Sequence, residues 1–209
     1  MDNSPDHRPA RTRLLDAAVT VLARDGLRGL SHRRVEQEAG LTHGSTTYYF
    51  RTRDTLIRQV IAYLAERDQE LVTATLGPSD AEGPPTAADV VRILELLLTS
   101  AREQTLARFE LFLHAAREPE LRGDLVRWRR PFRDAARALL AELGAPEADR
   151  AAESLVTGID GLLFTAVCLP DRMPLDELRR QTERLLARHL PLPAGEGGPA
   201  AAVPAEDTP

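Results

Sequence analysis

A tight turn followed by a short polar helix lies within residues 40–57, which read GLTHGSTTYYFRTRDTLI. The preceding segment has the residues of a short helix, and Gly40 stands where that helix must end, since glycine enters left-handed geometry without a Cβ penalty. Leu41 then anchors the turn, and the hydroxyl of Thr42 is predicted to cap the next helix. This order predicts a helix-turn-helix unit over about residues 31–50.

The helix after the turn begins with small polar side chains and ends with aromatic ones. Small side chains approach base edges closely, so we expect base contacts from His43, Ser45 and Thr47 and a close backbone approach at Gly44. Hydroxyl and cationic side chains suit phosphate, and the expected phosphate contacts are Thr42, Tyr48, Tyr49, His32, Arg33 and Arg53. The alternative is a surface helical hairpin, because such helix pairs also occur as packing units.

Several features of this region stand in register: a helix from about Arg11 to Asp25, the glycine after it, the Ala39-Gly40-Leu41 turn, Gly44, Tyr48, Phe50 and a cation at position 53. In this pattern, residues 8–68 resemble the DNA-binding domain of the TetR family of transcription regulators. Members often have a leucine before the paired aromatics and a lysine after the phenylalanine, where this chain has Thr47 and Arg53. The resemblance implies a three-helix DNA-binding domain followed by a helical domain that senses a small molecule and forms a homodimer.

Composition favours helices throughout the chain. Aromatic residues make up only 4% of the 209 residues, and Ala, Leu, Arg and Glu dominate, as in helical proteins. We therefore predict an all-α protein, which the resemblance divides into a DNA-binding domain over 8–68 and a ligand-sensing and dimerisation domain over 69–190. Residues 191–209 show no periodicity and are predicted to be a disordered tail.

Charge is distributed unevenly along the chain. Residues 1–60 hold 10 arginines against 7 acidic residues, whereas the remainder holds 17 against 25. Positive charge near the predicted helix-turn-helix favours double-stranded operator DNA as the partner, because binding to phosphate is largely electrostatic.

Apolar periodicity predicts the remaining helices. The first repeats Leu14, Ala18 and Leu22 on one face, and a connecting helix covers 53–76. A loop over 77–85 is followed by Thr86 as a helix cap, with Asp89 completing a capping box. Later helices are predicted over 87–98, 104–116, 121–143, where Pro131 is expected to introduce a bend, 147–169 and 175–190.

The family resemblance implies an effector pocket and a dimer interface, for which the sequence offers candidates. Pocket candidates are Phe109, Phe112, His114, Trp128, Phe132 and Phe164, although core packing explains these aromatics equally well. The last two helices are expected to pair with their copies across a two-fold axis, through Leu155, Gly158, Ile159, Gly161, Leu162, Leu178 and Leu185. The alternative is that these faces pack inside one chain.

Other chemistry finds no support in the sequence. Glu110 and His114 stand one helical turn apart, but the paired Glu-x-x-His pattern of di-iron bundles is absent, so we predict no metal site. No phosphate-binding loop or nucleophile elbow occurs, and we predict neither a cofactor nor an enzyme. A helical protein-interaction adaptor with a vestigial helix-turn-helix remains the alternative function.

Location in the cell follows from two features. The N-terminus lacks the apolar segment of a signal peptide, and no stretch is expected to reach the length of a membrane-spanning helix. The single cysteine, Cys168, excludes an intramolecular disulfide and lies in an apolar run, so we expect it to be buried. These features predict a cytoplasmic protein without membrane contact.

Overall fold

The computed structural model describes residues 8–76 and 86–190, which form α-helices, one short 3₁₀ helix and no strand. The helices are α1 (Ala10–Gly29), α2 (His32–Ala39), α3 (Ser45–Tyr49), α4 (Arg53–Leu76), α5 (Ala87–Leu98), α6 (Arg102–Ala115), α7 (Arg122–Glu142), α8 (Ala148–Cys168) and α9 (Leu175–Ala187). The 3₁₀ helix, Pro119–Leu121, joins α6 to α7. The predicted all-α fold is confirmed, while the loop over 77–85 and the tail over 191–209 lie outside the described residues.

Helix α1 extends further than the sequence predicted. Gly26 leaves helical geometry with φ 64°, as expected at the end of the first helix, but the chain then makes a further helical turn to Gly29. The N–H of Leu27, just after this break, donates to Oε2 of Glu110 on α6 at 3.1 Å. The end of α1 is thus tied to the larger helical part of the protein.

One apolar core joins the first four helices to α6 and α7. Leu14, Ala18 and Leu22 of α1 are fully buried, as the periodicity predicted. The same cluster contains Leu111 of α6 and Trp128 of α7. The DNA-binding unit therefore packs on the larger domain through a continuous core that crosses the boundary expected near residue 68.

The remaining helices enclose two further apolar clusters. Thr86 and Asp89 form the predicted capping box at the start of α5, and α5 buries Ile93, Leu94 and Leu97. Helix α7 continues through Pro131. Helices α4 and α6 are among the helices that pack both in the core around α1 and in this part of the molecule.

Helix α8 corrects one expectation from the sequence. It is long and apolar enough, by length and composition, to cross a membrane, although no such stretch was expected. Packing inside the protein accounts for part of this apolar composition, because Leu155 and Leu163 on one side of α8 are buried against neighbouring helices. Only 28% of its most apolar window is buried within the chain, so much of this apolar helix lacks a covering partner in the described structure.

Candidate DNA-reading helix and effector cavity

Two glycines shape the turn before α3. Gly40 has φ 61° and ψ 35°, the left-handed conformation that the sequence predicted, and its N–H is bonded to the carbonyl of Gln37 at 3.2 Å. Gly44 has φ 91° at the residue that caps α3. A side chain at either position is disfavoured by this backbone geometry, so the turn requires glycine at both.

Glu36 caps the DNA-reading helix from the neighbouring helix α2. Its Oε1 accepts the backbone N–H of Gly44 and of Thr46, each at 3.0 Å. Its Oε2 lies 3.2 Å from Nδ1 of His43 and accepts that ring's N–H when the nitrogen is protonated. The carboxylate therefore satisfies two backbone donors that the start of any helix leaves without a partner.

This arrangement corrects the predicted role of Thr42. No side chain within the turn caps α3, and the hydroxyl of Thr42 lies instead 3.2 Å from that of Ser45. Sequence reasoning missed Glu36, although one signal existed: an acidic residue beside Val35 on the face of α2 that packs inward. Burial opposes ionisation of Glu36, but the N–H of Thr46, the ring of His43 and the N–H of Gly44 outweigh it and lower its pKa.

The aromatic run divides between core and solvent. Phe50 is 1% exposed, whereas Tyr48 is 81% exposed and Tyr49 packs edge-on against it at 5.0 Å between ring centroids. Thr46 is fully buried and its hydroxyl donates to the carbonyl of His32 at 3.3 Å. Solvent therefore meets one polar face of α3 and its turn, made by Thr42, His43, Thr47, Tyr48 and Tyr49.

Two residues expected at phosphate have other surroundings. Arg53 donates from Nε to the carbonyl of Leu30 at 3.1 Å and from Nη2 to that of Leu27 at 2.6 Å, so it holds α4 against the end of α1. Nε2 of His32 is buried and has no hydrogen-bond partner among the described residues. Arg33 is exposed.

A cavity of about 70 Å³ lies among α4, α5, α6, α7 and α8. Three of the predicted pocket residues line it: Phe112, Trp128 and Phe132. Most of the other walls are aliphatic, from Val72, Leu76, Val90, Ile93, Leu94, Leu97, Leu139, Leu155, Val156, Ile159 and Leu163. Apolar walls with a few polar groups are the usual lining of a small-molecule site.

The other three pocket candidates do not line this cavity. Phe109 and Phe164 pack edge-on against each other at 5.3 Å between centroids, and Phe164 is 48% exposed. His114 borders surface clefts near the DNA-binding unit instead. Each of the three lies on a helix that contributes to the cavity, but on a different face of that helix. The residue type alone does not reveal which face of a helix a side chain occupies.

Polar side chains that the sequence did not single out enter this apolar region. Arg108 is 4% exposed and pairs with Asp68, whose Oδ2 also accepts Nε1–H of Trp128 at 2.6 Å. The guanidinium carbon lies 5.6 Å from the ring centroids of both Trp128 and Phe132. Both the ion pair and the aromatic contacts favour the buried cation.

A second ion pair borders the cavity. Arg129 donates to Asp160, and both residues line the cavity while each side chain stays about one-third exposed. Burial raises the pKa of Asp160, although the charges of Arg129 and Arg108 oppose that rise. The cavity thus carries two guanidinium groups and one carboxylate at its lining.

The predicted dimer residues divide into two groups. Leu155 and Leu178 are buried within the chain, and Gly158 lets Leu185 approach so closely that an added Cβ would lie 2.6 Å from its Cδ2. Ile159 and Leu162 pack partly against the same cores. These residues join α8 to other helices of one chain, which is the arrangement that the sequence left open as an alternative. Gly161 alone of the set is exposed, with no other group within 4 Å of an added Cβ.

A different row of α8 faces solvent. Thr157, Gly161, Phe164 and Cys168 are exposed and follow one another at helical spacing. Cys168 is therefore not buried within the chain, contrary to the expectation. Small residues followed by a large aromatic ring leave an apolar face that the described part of the chain does not cover.

Comparison with known proteins agrees with this architecture. Residues 14–60 match the family model described as "Bacterial regulatory proteins, tetR family". Residues 85–192 match a second model, "Tetracyclin repressor-like, C-terminal domain". The two matches span the helix-turn-helix and helices α5 to α9, of which α5 to α8 line the cavity together with α4.

Relatives of similar length share this arrangement. The HTH-type transcriptional regulator PksA of Bacillus subtilis (strain 168) is 26% identical over 188 residues, which cover 86% of this chain and 89% of that protein. A transcriptional regulator from Rhodococcus sp. Rha1 superposes with a TM-score of 0.74 at 26% identity, covering 87% of this chain and 96% of that one. The multidrug binding protein EbrR, complexed with malachite green, has a TM-score of 0.65 at 33% identity, with coverage of 90% and 100%. The chain belongs to the TetR family of transcriptional regulators, which are DNA-binding proteins and not enzymes.

Proposed function

We propose that this regulator is a cytoplasmic repressor that binds a palindromic operator as a homodimer and leaves it when a small molecule enters the cavity. The observation that carries the DNA part is the exposed polar face of α3 and its turn, held in place by the buried carboxylate of Glu36. A helix of this kind enters the major groove, and two copies related by a two-fold axis reach half-sites about 34 Å apart or a larger spacing.

Individual residues receive roles from their exposure. His43 and Thr47 are exposed and Ser45 is partly exposed, which supports base contacts by these three. The hydroxyls of Thr42, Tyr48 and Tyr49 and the guanidinium of Arg33 are assigned to phosphate contacts. Gly44 permits close approach of the backbone, since no group lies within 4 Å of its missing Cβ. Arg53 contributes charge while its main contacts hold α4 to α1.

The homodimer is proposed to form through the exposed row of α8. Thr157 and Gly161 allow close approach of a second helix, and Phe164 supplies apolar area. Isologous contact of this face with its copy across a two-fold axis buries the apolar surface that one chain leaves open. The proposed interface keeps α8 and Gly161 from the sequence prediction, which had also included α9, and replaces the other residues by Thr157 and Phe164.

Two helices connect the cavity with the DNA-reading end. Val72 and Leu76 near the end of α4 line the cavity, and Arg53 at its start holds the carbonyls at the end of α1. On α6, Arg108 lines the cavity and Glu110 accepts the N–H of Leu27. A ligand releases DNA only if it binds more tightly to the conformation in which the spacing of the two α3 helices does not match the operator half-sites. Shifts of α4 and α6 provide that link.

Structural relatives support the effector role of the cavity. EbrR is described as a multidrug binding protein and was crystallised with ethidium, malachite green and proflavin. Helices α5 to α8, which line the cavity together with α4, fall within the match to the C-terminal family model. We therefore assign small-molecule binding to this cavity.

The first test is selection of bound sequences from random duplex DNA by the purified protein, followed by affinity measurements over a salt series. An enriched palindrome and an affinity that falls steeply with salt support the dimeric regulator, because several phosphate contacts release counterions. Weak enrichment without salt dependence would instead support an adaptor with a vestigial helix-turn-helix. Whether the bound protein represses is then read from a reporter placed behind the selected site.

A further inference from the structure

We infer that the cavity selects a ligand with an apolar body and a single carboxylate group, which Arg108 and Arg129 bind together. This inference rests on the proposed role of the cavity as the effector site and adds the chemical class of the effector. It follows from the polar groups at the cavity wall and not from the ligands of any relative.

The walls define the apolar body of the ligand. Helix α5 contributes four aliphatic side chains, and Phe112, Trp128 and Phe132 add aromatic faces. A polar molecule gains nothing from such walls, since burying a polar group without a partner is unfavourable. An aliphatic or aromatic body is favoured because it removes apolar surface from water.

Arg108 supplies a donor that protein atoms leave unused. Its Nη2 donates to Asp68, but its buried Nε has no hydrogen-bond partner among the described residues, and neither has Oδ1 of Asp68, which does not line the cavity. Buried donors are almost always bonded, and an exception calls for a reason. An acceptor atom of a bound molecule at this wall of the cavity provides the missing partner.

The balance of charge at the lining indicates a carboxylate and not a neutral acceptor or a cation. Arg108, Arg129 and Asp160 line the cavity, whereas Asp68 lies behind Arg108 and is 1% exposed. At the lining itself, two guanidiniums accompany one carboxylate: Asp160 is paired with Arg129, and Arg108 is paired with Asp68 on the side away from the cavity. A ligand ammonium would face both guanidiniums, while a carboxylate gains charge-assisted hydrogen bonds from them.

The protein contains a direct reporter of binding. Trp128 is its only tryptophan, and it lines the cavity beside Arg108. Titrations of its fluorescence with 4-phenylbutyrate, 4-phenylbutanol and 4-phenylbutylamine compare an acid, an alcohol and an amine on one apolar body. No DNA is present, so failure of ligand binding is distinguishable from failure of operator binding.

We expect 4-phenylbutyrate to bind at least about tenfold more tightly than the alcohol and the amine, which corresponds to one charge-assisted hydrogen bond. Arg129→Gln should reduce affinity for the acid by a similar factor and leave affinity for the alcohol unchanged. Arg108→Lys keeps a cation beside Asp68 and removes Nε, so it should also weaken the acid selectively. Asp160→Asn should increase affinity for the acid, because this substitution removes the anion at the lining.

Arg130→Gln is the matched control, since Arg130 neighbours Arg129 in sequence but is exposed and pairs with Asp134 outside the cavity. It should change none of the three affinities. Tightest binding of the amine would overturn the inference and identify Asp160 as the recognising group. Equal affinities for all three, or no binding of any, would also overturn it. Circular dichroism of each variant separates loss of the site from loss of the fold.

Discussion

Oε1 of Glu36 accepts the backbone N–H of Thr46 at 3.0 Å, so a buried side chain of α2 holds the first turn of α3. Helix α3 has only five residues, too few to be stable alone because helix nucleation is unfavourable. Its geometry must therefore come from surrounding contacts. Glu36 supplies them from the preceding helix of the helix-turn-helix, and the angle between the two helices depends on this carboxylate.

Replacement of Glu36 tests this dependence. Glu36→Ala should reduce the free energy of unfolding by about 2 kcal/mol, the scale for losing hydrogen bonds to a buried charged group, and should weaken operator binding through a disordered α3. Glu38→Gln is the control, because Glu38 lies on the same helix but is exposed and pairs only with Arg24. Chemical denaturation and DNA titration measure both effects. Wild-type affinity in Glu36→Ala would show that α3 forms without this cap.

Acid should weaken the same contact. The folded pKa of Glu36 is lowered below its ordinary value of 4.5, so its contribution to stability is fully present above pH 4.5 and is lost as pH falls through the folded pKa. The difference in melting temperature between wild type and Glu36→Gln should therefore shrink as pH decreases below 4.5. A difference that grows on acidification would contradict the assigned direction of the shift.

Tyr48 tests the assignment of phosphate contacts. Its side chain is 81% exposed, so Tyr48→Phe should leave the melting temperature unchanged. Loss of one hydroxyl contact should weaken binding to every DNA sequence by a similar factor of about five, roughly 1 kcal/mol. Affinities for the selected operator and for single-base variants measure this. A change in the preferred sequence would show that Tyr48 contacts bases instead.

Substitutions of Arg51 and Arg53 distinguish a cation that contributes only to DNA binding from one that also stabilises the fold. Arg53 bonds the carbonyls of Leu27 and Leu30, so Arg53→Met should lower stability by roughly 1 kcal/mol as well as DNA affinity. Arg51 is exposed just before α4 and makes no such contact among the described residues. Arg51→Met should keep the stability and, if Arg51 lies at phosphate, reduce the salt slope by about one. Thermal unfolding and a salt series measure the two effects, and equal stability losses in both variants would contradict the distinction.

Phe164 tests the proposed dimer face. It is 48% exposed on the open row of α8, and a glutamate there would place charge in the apolar interface. Phe164→Glu should yield a monomer by sedimentation. It should also reduce operator affinity, because both α3 helices of a dimer are needed to contact the two half-sites. Val126→Glu is the control, since Val126 is 69% exposed on α7 and lies outside this face. A dimer that persists in Phe164→Glu and dissociates in Val126→Glu would move the interface to α7.

Elements that depend on neighbouring residues could be predicted from the amino-acid sequence. Periodic leucines of α1, the left-handed turn at Gly40 and the capping box of Thr86 and Asp89 all follow from local spacing and backbone geometry. These features need no knowledge of distant residues, because helix faces and caps are formed within a few positions of the chain.

Which helix faces pack together could not be predicted in this way, because it depends on contacts between distant residues. Glu36 caps a helix that starts nine residues later, Arg53 turns to the end of α1, and Arg108 enters an apolar cavity. An exposed and a buried leucine or phenylalanine are alike in sequence, so Phe164 was expected at the cavity and Leu155 at the dimer face. Their positions depend on how α8 is rotated against its neighbours, which is set by contacts between residues far apart in the chain.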